Sequence, residues 1–551
     1  MDNVRLFLWV GLGILLWITV TTWQRDYAPA PATTVTAPAP TDAAPAPTPP
    51  ADLPQLPEMQ PAPDDAAPAV PAVAAPAKGR TVKVRTDVLE AEIDLTGGDL
   101  RGAWLLAYPK AKDRPDEPVQ LLSRDPATLS IFRTGVRDAA GGPEATHVSP
   151  FNAAQTEYQL EDGADELEVP LRFSEGGITV DKIYRFRRGR YDVAMEQRVT
   201  NASADVFGAV PYLQIQRKHV PPDRSMFDVD SYSFTGPVVY DGDSYEKIDV
   251  DDLEDEPLKE TISNGWLAAI QHHFLAAAVP EPEPASQYTV NFDGQTFVAS
   301  AIAGQVKPVA PGETASFPAK LFVGPKLQDQ LEETAEGLRL TVDYGALTVL
   351  AQPLFWVLDK VYSFVGNWGW TIVIVTFLIK LLFYKLSETS GRSMAKMRKM
   401  QPRMKALQER FKDDREAMSR ALMDLYKKEK VNPAAGCLPM LVQIPFFIAF
   451  YWVLLESVEM RQAPFMLWIQ DLSVRDPFFI LPLLMGAAMW FQQKLNPAPP
   501  DPVQAKVMMF LPVVFTGMFA FFPAGLVLYW LTNSLLSMAQ QWKINKAVEA
   551  G

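Results

Sequence analysis

The stretch WGWTIVIVTFLIKLLFY, residues 368–384, is apolar along most of its length and has Lys380 as its single charged residue. A helix of this length is at the lower limit for crossing a bilayer. A cation at that depth costs about 2.5–3.5 kcal/mol on insertion scales, so it is expected to face water or a partner. A long lysine stem can also reach the cytoplasmic headgroups. The stretch therefore predicts a membrane-spanning helix, and both interpretations of Lys380 stay open.

Five other apolar stretches accompany this one. The first, Leu6–Val20, is interpreted as part of an uncleaved anchor, residues 1–26. A cleavable signal peptide is the alternative, but its cleavage site would lie far beyond the apolar run, with Pro31 directly after the cut. The predicted spans of the remaining chain are approximately residues 364–384, 438–458, 478–493, 507–521 and 526–541.

The distribution of positive charge orients these spans. Lys and Arg are concentrated between Arg392 and Lys430, which places the loop between the second and third spans in the cytoplasm. Lys494 places a second loop on the same side, and Lys543 places the C-terminus there. A topology of six spans with both termini in the cytoplasm places every loop on the side that its charge predicts. The long segment between the first two spans then lies outside.

That outer segment has two parts. Residues 27–79 are almost wholly Pro, Ala, Thr and Asp, a composition that predicts a flexible tether. Residues 80–340 contain alternating runs such as Ile178-Thr179-Val180-Asp181, separated by turn signals such as Gly176-Gly177. Alternation with closely spaced turns predicts a large antiparallel β-sandwich.

Residues 341–363 change to a helical period. Leu350, Leu354 and Leu358 recur on one face, and Asp359 and Lys360 lie off it. This pattern predicts an amphipathic helix on the outer membrane surface, with a buried helix of a soluble domain as the alternative.

The cytoplasmic loop predicts a helical hairpin over residues 390–431, because methionines and leucines recur there at helical spacing. Its basic outer face has three interpretations: contact with anionic lipids, contact with ribosomal RNA or a targeting factor, or a topology signal alone. The basic residues singled out for function are Arg398, Lys399, Arg403 and Lys405.

The sequence contains no pattern typical of covalent catalysis, of a metal site or of a cofactor site. Asp94 and Asp99 are expected at solvated strand or turn positions, and His272 and His273 on opposite faces of a strand. The single cysteine, Cys437, excludes an intrachain disulfide. We therefore expect the protein not to be an enzyme and to bind no metal and no cofactor.

Polar residues recur on the predicted spans. Thr376 lies one turn before Lys380, and Gln443, Gln492 and Asn533 lie on three other spans. Because polar groups inside a bilayer are expected to face one another or water, these residues predict a water-filled recess within the bundle.

Four motifs carry a family resemblance. Residues 432–439 read NPAAGCLP and are followed by Gln443-Ile444-Pro445; the others are Phe522-Pro523-Ala524-Gly525-Leu526, Arg461-Gln462-Ala463-Pro464-Phe465 and Met394-Ala395-Lys396-Met397. In their order along the chain, and with the anchor, tether and outer domain before them, these motifs resemble the YidC/Oxa/Alb family of membrane insertases. The large outer domain resembles the Gram-negative form.

This resemblance implies a polytopic helical membrane protein with six transmembrane helices, five of which form an insertase core, and a periplasmic all-β supersandwich similar to sugar mutarotases. The core is expected to enclose a hydrophilic groove, with Lys380 where family members commonly have arginine. An apolar slide for the incoming helix is expected at Thr376, Phe447, Met485, Met518, Tyr529 and Trp530.

The function implied is insertion and folding of membrane proteins in the cell inner membrane, alone or beside the Sec translocon. The expected partners are nascent membrane proteins, anionic lipids and the ribosome. Two rival functions are a small-solute transporter that uses Lys380, which predicts inverted repeats among the spans, and a glycan enzyme in the β domain, which requires a pair of acids.

Overall fold

The structure is a computed structural model, and it describes residues 81–221, 233–254, 256–411, 414–429, 438–495 and 502–550. The predicted anchor, residues 1–26, and the predicted tether, residues 27–79, lie outside the described residues.

Residues 81–325 form a β domain of three sheets. A five-stranded sheet has the order β4-β3-β2-β1-β7, and it is antiparallel except for the parallel pair β1–β7. Its strands are β1 (Thr81–Arg85), β2 (Leu89–Asp94), β3 (Asp99–Ala111), β4 (Arg114–Leu122) and β7 (Glu157–Gln159).

The two larger sheets are antiparallel throughout. The nine-stranded sheet has the order β13-β12-β15-β16-β20-β10-β9-β8-β6, and the six-stranded sheet has the order β14-β17-β18-β11-β19, with β5 also paired to β11. Their strands are β5 (Ser130–Asp138), β6 (Asn152–Ala153), β8 (Glu166–Glu175), β9 (Ile178–Arg187), β10 (Asp192–Asn201), β11 (Phe207–Lys218), β12 (Thr235–Tyr240), β13 (Tyr245–Lys247), β14 (Leu258–Ile262), β15 (Trp266–Gln271), β16 (Phe274–Val279), β17 (Ser286–Phe292), β18 (Thr296–Ala303), β19 (Lys307–Val309) and β20 (Thr314–Pro325).

Alternation in the sequence explains these strands. In β10, Val193, Met195, Gln197 and Val199 are buried while Ala194, Glu196 and Arg198 between them are partly exposed. Strands β15 and β16 are buried on both faces and consist mainly of alanine and leucine, as expected for strands covered on both sides. The prediction of a β-rich, largely antiparallel domain in this part of the chain is confirmed.

The expectation that Asp94 and Asp99 are solvated is wrong. Asp99 is fully buried and accepts hydrogen bonds from the Thr134 amide at 3.0 Å and from the Thr134 hydroxyl at 2.7 Å. The equally buried Lys182 places its Nζ 3.1 Å from Asp99 Oδ1. Asp94 is also buried and pairs with Arg101 and Arg124 at 3.4 Å and 3.0 Å. The cationic partners are brought to both carboxylates by the fold.

The expectation for His272 and His273 is also wrong. Strand β15 ends at Gln271 and β16 begins at Phe274, so the two histidines form the turn between the strands. His272 has a φ of +24°, and the two rings stack with centroids 3.7 Å apart. They therefore lie side by side and do not face opposite sides of a sheet.

Helices make up the chain after the β domain. They are α1 (Gln328–Thr334), α2 (Thr348–Val365), α3 (Trp368–Leu382), α4 (Tyr384–Lys399), α5 (Gln401–Arg410), α6 (Arg415–Lys428), α7 (Leu438–Glu456), α8 (Ile480–Leu495), α9 (Pro502–Phe519) and α10 (Ala524–Ala550). Relative to the predicted spans, α3 begins four residues later than residue 364, and α10 continues nine residues past residue 541.

Helices α2 and α3 are separated by a sharp turn. Gly366 has a φ of +66° and ends α2, and the Asn367 side chain accepts a hydrogen bond from the Trp370 amide at 3.0 Å, which caps α3. Helix α2 buries Leu354 and Leu358 against the neighbouring helices. Its other side exposes 62% of Trp356, so α2 has apolar side chains on two faces.

Phe383 separates α3 from α4, and the two helix axes differ by 69°. Among the described residues, no unbroken helix is both long enough and apolar enough to qualify as a membrane span. The bent pair α3–α4 does qualify by length and composition.

Candidate functional site

Lys380 lies at the centre of a hydrogen-bonded group from three helices. Its Nζ donates to Ser537 Oγ on α10 at 2.7 Å and to Gln443 Oε1 on α7 at 3.5 Å. Gln443 Nε2 in turn donates to Asn533 Oδ1 at 2.6 Å. The ammonium group of α3 is therefore bound by polar side chains of α7 and α10.

These residues line a small recess at the break between α3 and α4. The polar wall consists of Lys380, Ser387, Gln443 and Asn533, and the remainder is apolar: Ile379, Phe383, Leu386, Val442 and Phe446. Helix α4 covers one side and packs on α10, where a Cβ added to Gly391 would lie 2.7 Å from Ile544 Cδ1. The bend at Phe383 thus brings α4 across the recess.

Three of the predicted polar residues meet here, namely Lys380, Gln443 and Asn533. Thr376 is buried one turn away, and its hydroxyl donates to the Ile372 carbonyl at 2.6 Å within its own helix. Gln492 is half-buried on α8 and is not among the residues that line the recess.

Ser537 is the residue that sequence reasoning missed. It lies four residues after Asn533, so both side chains are on one face of α10. Its hydroxyl accepts from Lys380 and donates to the Asn533 carbonyl at 2.7 Å. The i, i+4 spacing from Asn533 is the signal that could have found it.

The predicted slide residues divide into two groups. Phe447, Tyr529 and Trp530 belong to an aromatic cluster: Phe447 lies 4.7 Å from Trp530 and 6.1 Å from Tyr529 between ring centroids. Met485 is fully buried on α8, whereas Met518 on α9 is 43% exposed. Only part of this set is therefore accessible from outside the helix bundle. Phe515 and Phe519 on α9, which the sequence analysis did not single out, also contact Trp530.

Helices α5 and α6 form the hairpin that follows α4. Met400 and Met404 are buried between them and pack against Leu422, Leu425 and Tyr426. The side chain of Asp414 caps α6 by accepting hydrogen bonds from the Glu416 and Ala417 amides.

Of the four basic residues singled out in the sequence, two lie at the end of α4 and two lie on α5. Arg398 and Lys399 are exposed, and Arg403 pairs with Glu429 beyond the end of α6 at 2.7 Å. Lys405 lies on α5, but its side chain is outside the described residues. In the described parts of the chain, no group of three or more His, Cys, Asp or Glu side chains is arranged to hold a metal ion.

Known protein families match both the β domain and the helical part of the chain. The profile described as "YidC periplasmic domain" matches residues 81–357, and the profile described as "60Kd inner membrane protein" matches residues 360–550. A membrane protein insertase YidC of Thioalkalivibrio sulfidiphilus is 48% identical, with 100% of this chain and 99% of the relative covered. One of Methylococcus capsulatus is 47% identical at the same coverage.

A crystal structure titled as an active YidC insertase with its first transmembrane domain resolved matches 84% of this chain and 92% of that chain, at 19% identity and a TM-score of 0.38. The family assignment rests on the full-length sequence relatives and the two family profiles. The family resemblance of the four motifs is confirmed: this chain belongs to the YidC family of membrane protein insertases.

Proposed function

We propose that the recess around Lys380 is the working site of this inner-membrane insertase and that it acts on client transmembrane helices without covalent chemistry. The observation that carries the proposal is the hydrogen-bonded group Lys380–Gln443–Asn533–Ser537, which joins three helices beside a recess lined mainly by apolar side chains. Polar groups at such positions mark the path of polar substrates through a membrane protein.

The recess would act by lowering the barrier to a polar tail. The polar segment next to a client's transmembrane helix loses hydration when it enters a bilayer, and the polar side chains of the recess partly replace that hydration. The client's apolar helix would pack against the aromatic cluster at Phe447 and Trp530 and then move into the lipid. Burial of its apolar surface in lipid supplies the driving force.

The proposed topology keeps the six spans and both cytoplasmic termini predicted from charge. Helices α4 to α6 carry the concentrated Lys and Arg residues and are assigned to the cytoplasm, and the β domain is assigned to the periplasm. We assign residues 1–26 to the anchor, 27–79 to the tether, 80–340 to the periplasmic domain, 341–363 to the interfacial helix and 364–546 to the core.

The proposed partners follow from the chemistry of each surface. Nascent membrane proteins would enter the recess, and the exposed Arg398 and Lys399 fit anionic lipid headgroups or the ribosome. Cooperation with the Sec translocon is proposed from the family resemblance alone.

Site-specific photo-crosslinking to ribosome-bound nascent chains tests the working site. A crosslinker at Leu386, which lines the recess, is expected to capture a nascent transmembrane segment. One at Phe364, which is 90% exposed at the end of α2, serves as the control and is expected to capture much less. Equal capture at both positions would place the client outside the recess.

Reversing the charge of the hairpin is expected to impair delivery of clients more than stability. In the variant with Arg398, Lys399, Arg403 and Lys405 all changed to Glu, attraction to anionic lipid or RNA becomes repulsion. We expect insertion to slow at least tenfold, since each basic residue near an anionic surface contributes about 1 kcal/mol and the loss of two such contributions already exceeds a factor of ten. Insertion is measured by protease protection of a reporter client.

The control for this variant restores the internal ion pair. Arg403→Glu alone breaks the pair with Glu429, so Arg403→Glu with Glu429→Arg re-forms it in the opposite order. If the exchanged pair, which keeps the net charge of the hairpin, is as slow as the quadruple variant, the defect does not come from the net charge. If the quadruple variant inserts the reporter at the parent rate, the charge of the hairpin has no role in delivery.

Deletion of the β domain is expected to leave insertion of simple clients largely intact, because the recess lies wholly in α3, α4, α7 and α10. The structure favours removal of residues 81–325, since a deletion that spared β20 would leave a strand without its partners β10 and β16. Protease protection of a single-span client measures the result. A variant that reaches the membrane at normal levels but inserts nothing would show that the β domain is required.

A further inference from the structure

The motif Arg461-Gln462-Ala463-Pro464-Phe465 has no part in the recess. It lies in the loop between α7 and α8, residues 457–479, which we call the outer cap. Among the described residues, this loop contacts the β domain on one side and the outer ends of α3 and α10 on the other. It therefore connects the two halves of the chain.

Arg461 forms the centre of the contact with the β domain. Its Nη2 donates to the Pro109 carbonyl at 2.9 Å and to the Lys110 carbonyl at 3.1 Å, near the tip of the β3–β4 hairpin. Its guanidinium lies over the Phe274 ring at 5.4 Å. One side chain thus binds two separate sheets of the β domain through hydrogen bonds and a cation–π contact.

Gln462 and Lys112 add further hydrogen bonds between the outer cap and the β domain. Gln462 Nε2 donates to the Pro109 carbonyl at 3.0 Å, and Lys112 Nζ donates to the carbonyls of Gln462 and Gln470. Main-chain carbonyls accept most of these bonds, so the fit depends on backbone shape more than on the side chains of the hairpin.

A second contact holds the end of α7. His272 Nε2 lies 3.1 Å from the Leu455 carbonyl, and Lys326 Nζ lies 3.8 Å from Glu456 Oε2 with both side chains nearly buried. Burial lowers the pKa of His272 to about 4, so at neutral pH the ring is uncharged and its N–H donates to the carbonyl. Burial lowers the pKa of Lys326 to about 8, which leaves it mainly protonated at neutral pH and able to pair with Glu456.

The opposite side of the cap contacts the helices of the recess. Asn367 Nδ2 donates to the Phe465 carbonyl at 3.0 Å, and the Phe465 ring covers Gly369, where an added Cβ would lie 2.0 Å from Cδ2 of the ring. The amides of Ala524 and Gly525 donate to the Val474 and Leu472 carbonyls at 2.7 Å and 2.9 Å. Helices α3 and α10, which carry Lys380 and Ser537, therefore begin against the cap.

We propose that the outer cap is the docking site of the β domain, that Arg461 is its anchoring residue, and that the docked domain holds the cap closed over the outer ends of α3 and α10. The orientation rests on the proposed topology, in which the β domain is periplasmic. In the described part of the chain, the segment before α2 joins the two domains covalently, and the contacts of Arg461, His272 and Lys326 restrict their relative movement.

Accessibility of a buried cysteine from the periplasm tests the closure. Ile372 on α3 is fully buried, and its Cδ1 lies 3.5 Å from the position of a Cβ added to Gly525, directly beneath the cap. In a chain with Cys437→Ser, the substitution Ile372→Cys reports entry of a membrane-impermeant maleimide added to the periplasmic side. We expect Arg461→Ala to raise the labelling rate about tenfold, the change expected when charge-assisted hydrogen bonds are lost.

Docking itself is measured by a crosslink. Lys112→Cys and Gln470→Cys, also with Cys437→Ser, are joined by a short flexible bis-maleimide in the parent, and Arg461→Ala is expected to reduce the yield. Arg461→Lys keeps the charge but loses the planar fork, so an intermediate value is expected in both assays. Arg475→Ala, which removes an exposed arginine from the same cap, is the matched control and should change neither assay.

Three outcomes would overturn the proposal. If Arg461→Ala keeps the full crosslink yield, Arg461 is not the anchor. If it loses the crosslink but leaves labelling at Ile372→Cys unchanged, docking does not close the cap. If Arg475→Ala raises labelling equally, the cap loosens on any substitution. Resistance of the β domain to protease is followed in each variant to verify that it remains folded, and none of these measurements depends on insertion activity.

Discussion

In membranes that carry Lys380→Glu, a client with an acidic translocating tail is expected to insert more than tenfold more slowly than with the parent chain. The parent ammonium group attracts such a tail inside the recess, and the glutamate repels it. An attraction of about 1 to 4 kcal/mol between charges 4 Å apart, depending on the effective dielectric constant, corresponds to a change of this size. A client with a neutral tail is expected to be affected much less.

Other substitutions at this position separate charge from structure. Lys380→Arg should retain most activity because charge and reach are kept. Lys380→Ala should be intermediate and should slow mainly the acidic client. Ser537→Ala is the matched control: it removes the hydrogen bond at 2.7 Å but leaves the ammonium group in place, so it should have a small effect on both clients.

The measurement is protease protection of reporter tails, neutral and acidic, in membranes that carry each variant. Equal insertion of the two reporters by the parent and by Lys380→Ala would remove Lys380 from the mechanism. It would favour the alternative in which the lysine only reaches the headgroups. Slow insertion of both reporters by Ser537→Ala would instead indicate that the hydrogen-bonded group has a structural role.

The candidate site shows what a sequence can predict in a membrane segment. Lys380 and Gln443 are identifiable because polar residues are rare and costly in apolar stretches. The same reasoning singled out Thr376 and Gln492, although Thr376 bonds within its own helix and Gln492 does not line the recess. The cost of burial identifies a polar residue but does not give the rotation of its helix, which depends on packing against the neighbours.

In the β domain, the sequence predicts the strands but not the pairing of charged residues between them. Alternation predicts the strands because it reflects which side of each strand is buried. It does not predict that Asp99 and Lys182 pair, because they lie 83 residues apart and meet only when two strands from different sheets pack together. A charged residue within an alternating strand therefore looks solvated in the sequence although its partner lies across the core.

Removal of the Asp99 carboxylate is expected to destabilise the β domain by about 3–5 kcal/mol, the usual cost of leaving one partner of a buried ion pair alone. In Asp99→Ala, the Lys182 ammonium group keeps its bonds to the Gly97 carbonyl at 2.6 Å and to Thr134 Oγ1 at 2.8 Å but loses its counter-charge. The denaturant midpoint for protease protection of the β domain in the full-length chain measures the loss. Glu90→Ala, which breaks the exposed pair with Arg85, is the control and should cost less than about 1 kcal/mol.

The dependence of this variant on pH identifies the cause. Burial lowers the pKa of Lys182, and the Asp99 carboxylate opposes that shift in the parent chain. Without Asp99, the folded state releases the proton at lower pH than the unfolded state, so the unfolded state binds more protons and stability should rise with pH. Asp99→Ala is therefore expected to regain stability relative to the parent as the pH rises from neutral toward the ordinary lysine pKa of about 10.4. A loss that stays constant over this range would mean that the defect is a packing cavity and not an unpaired charge.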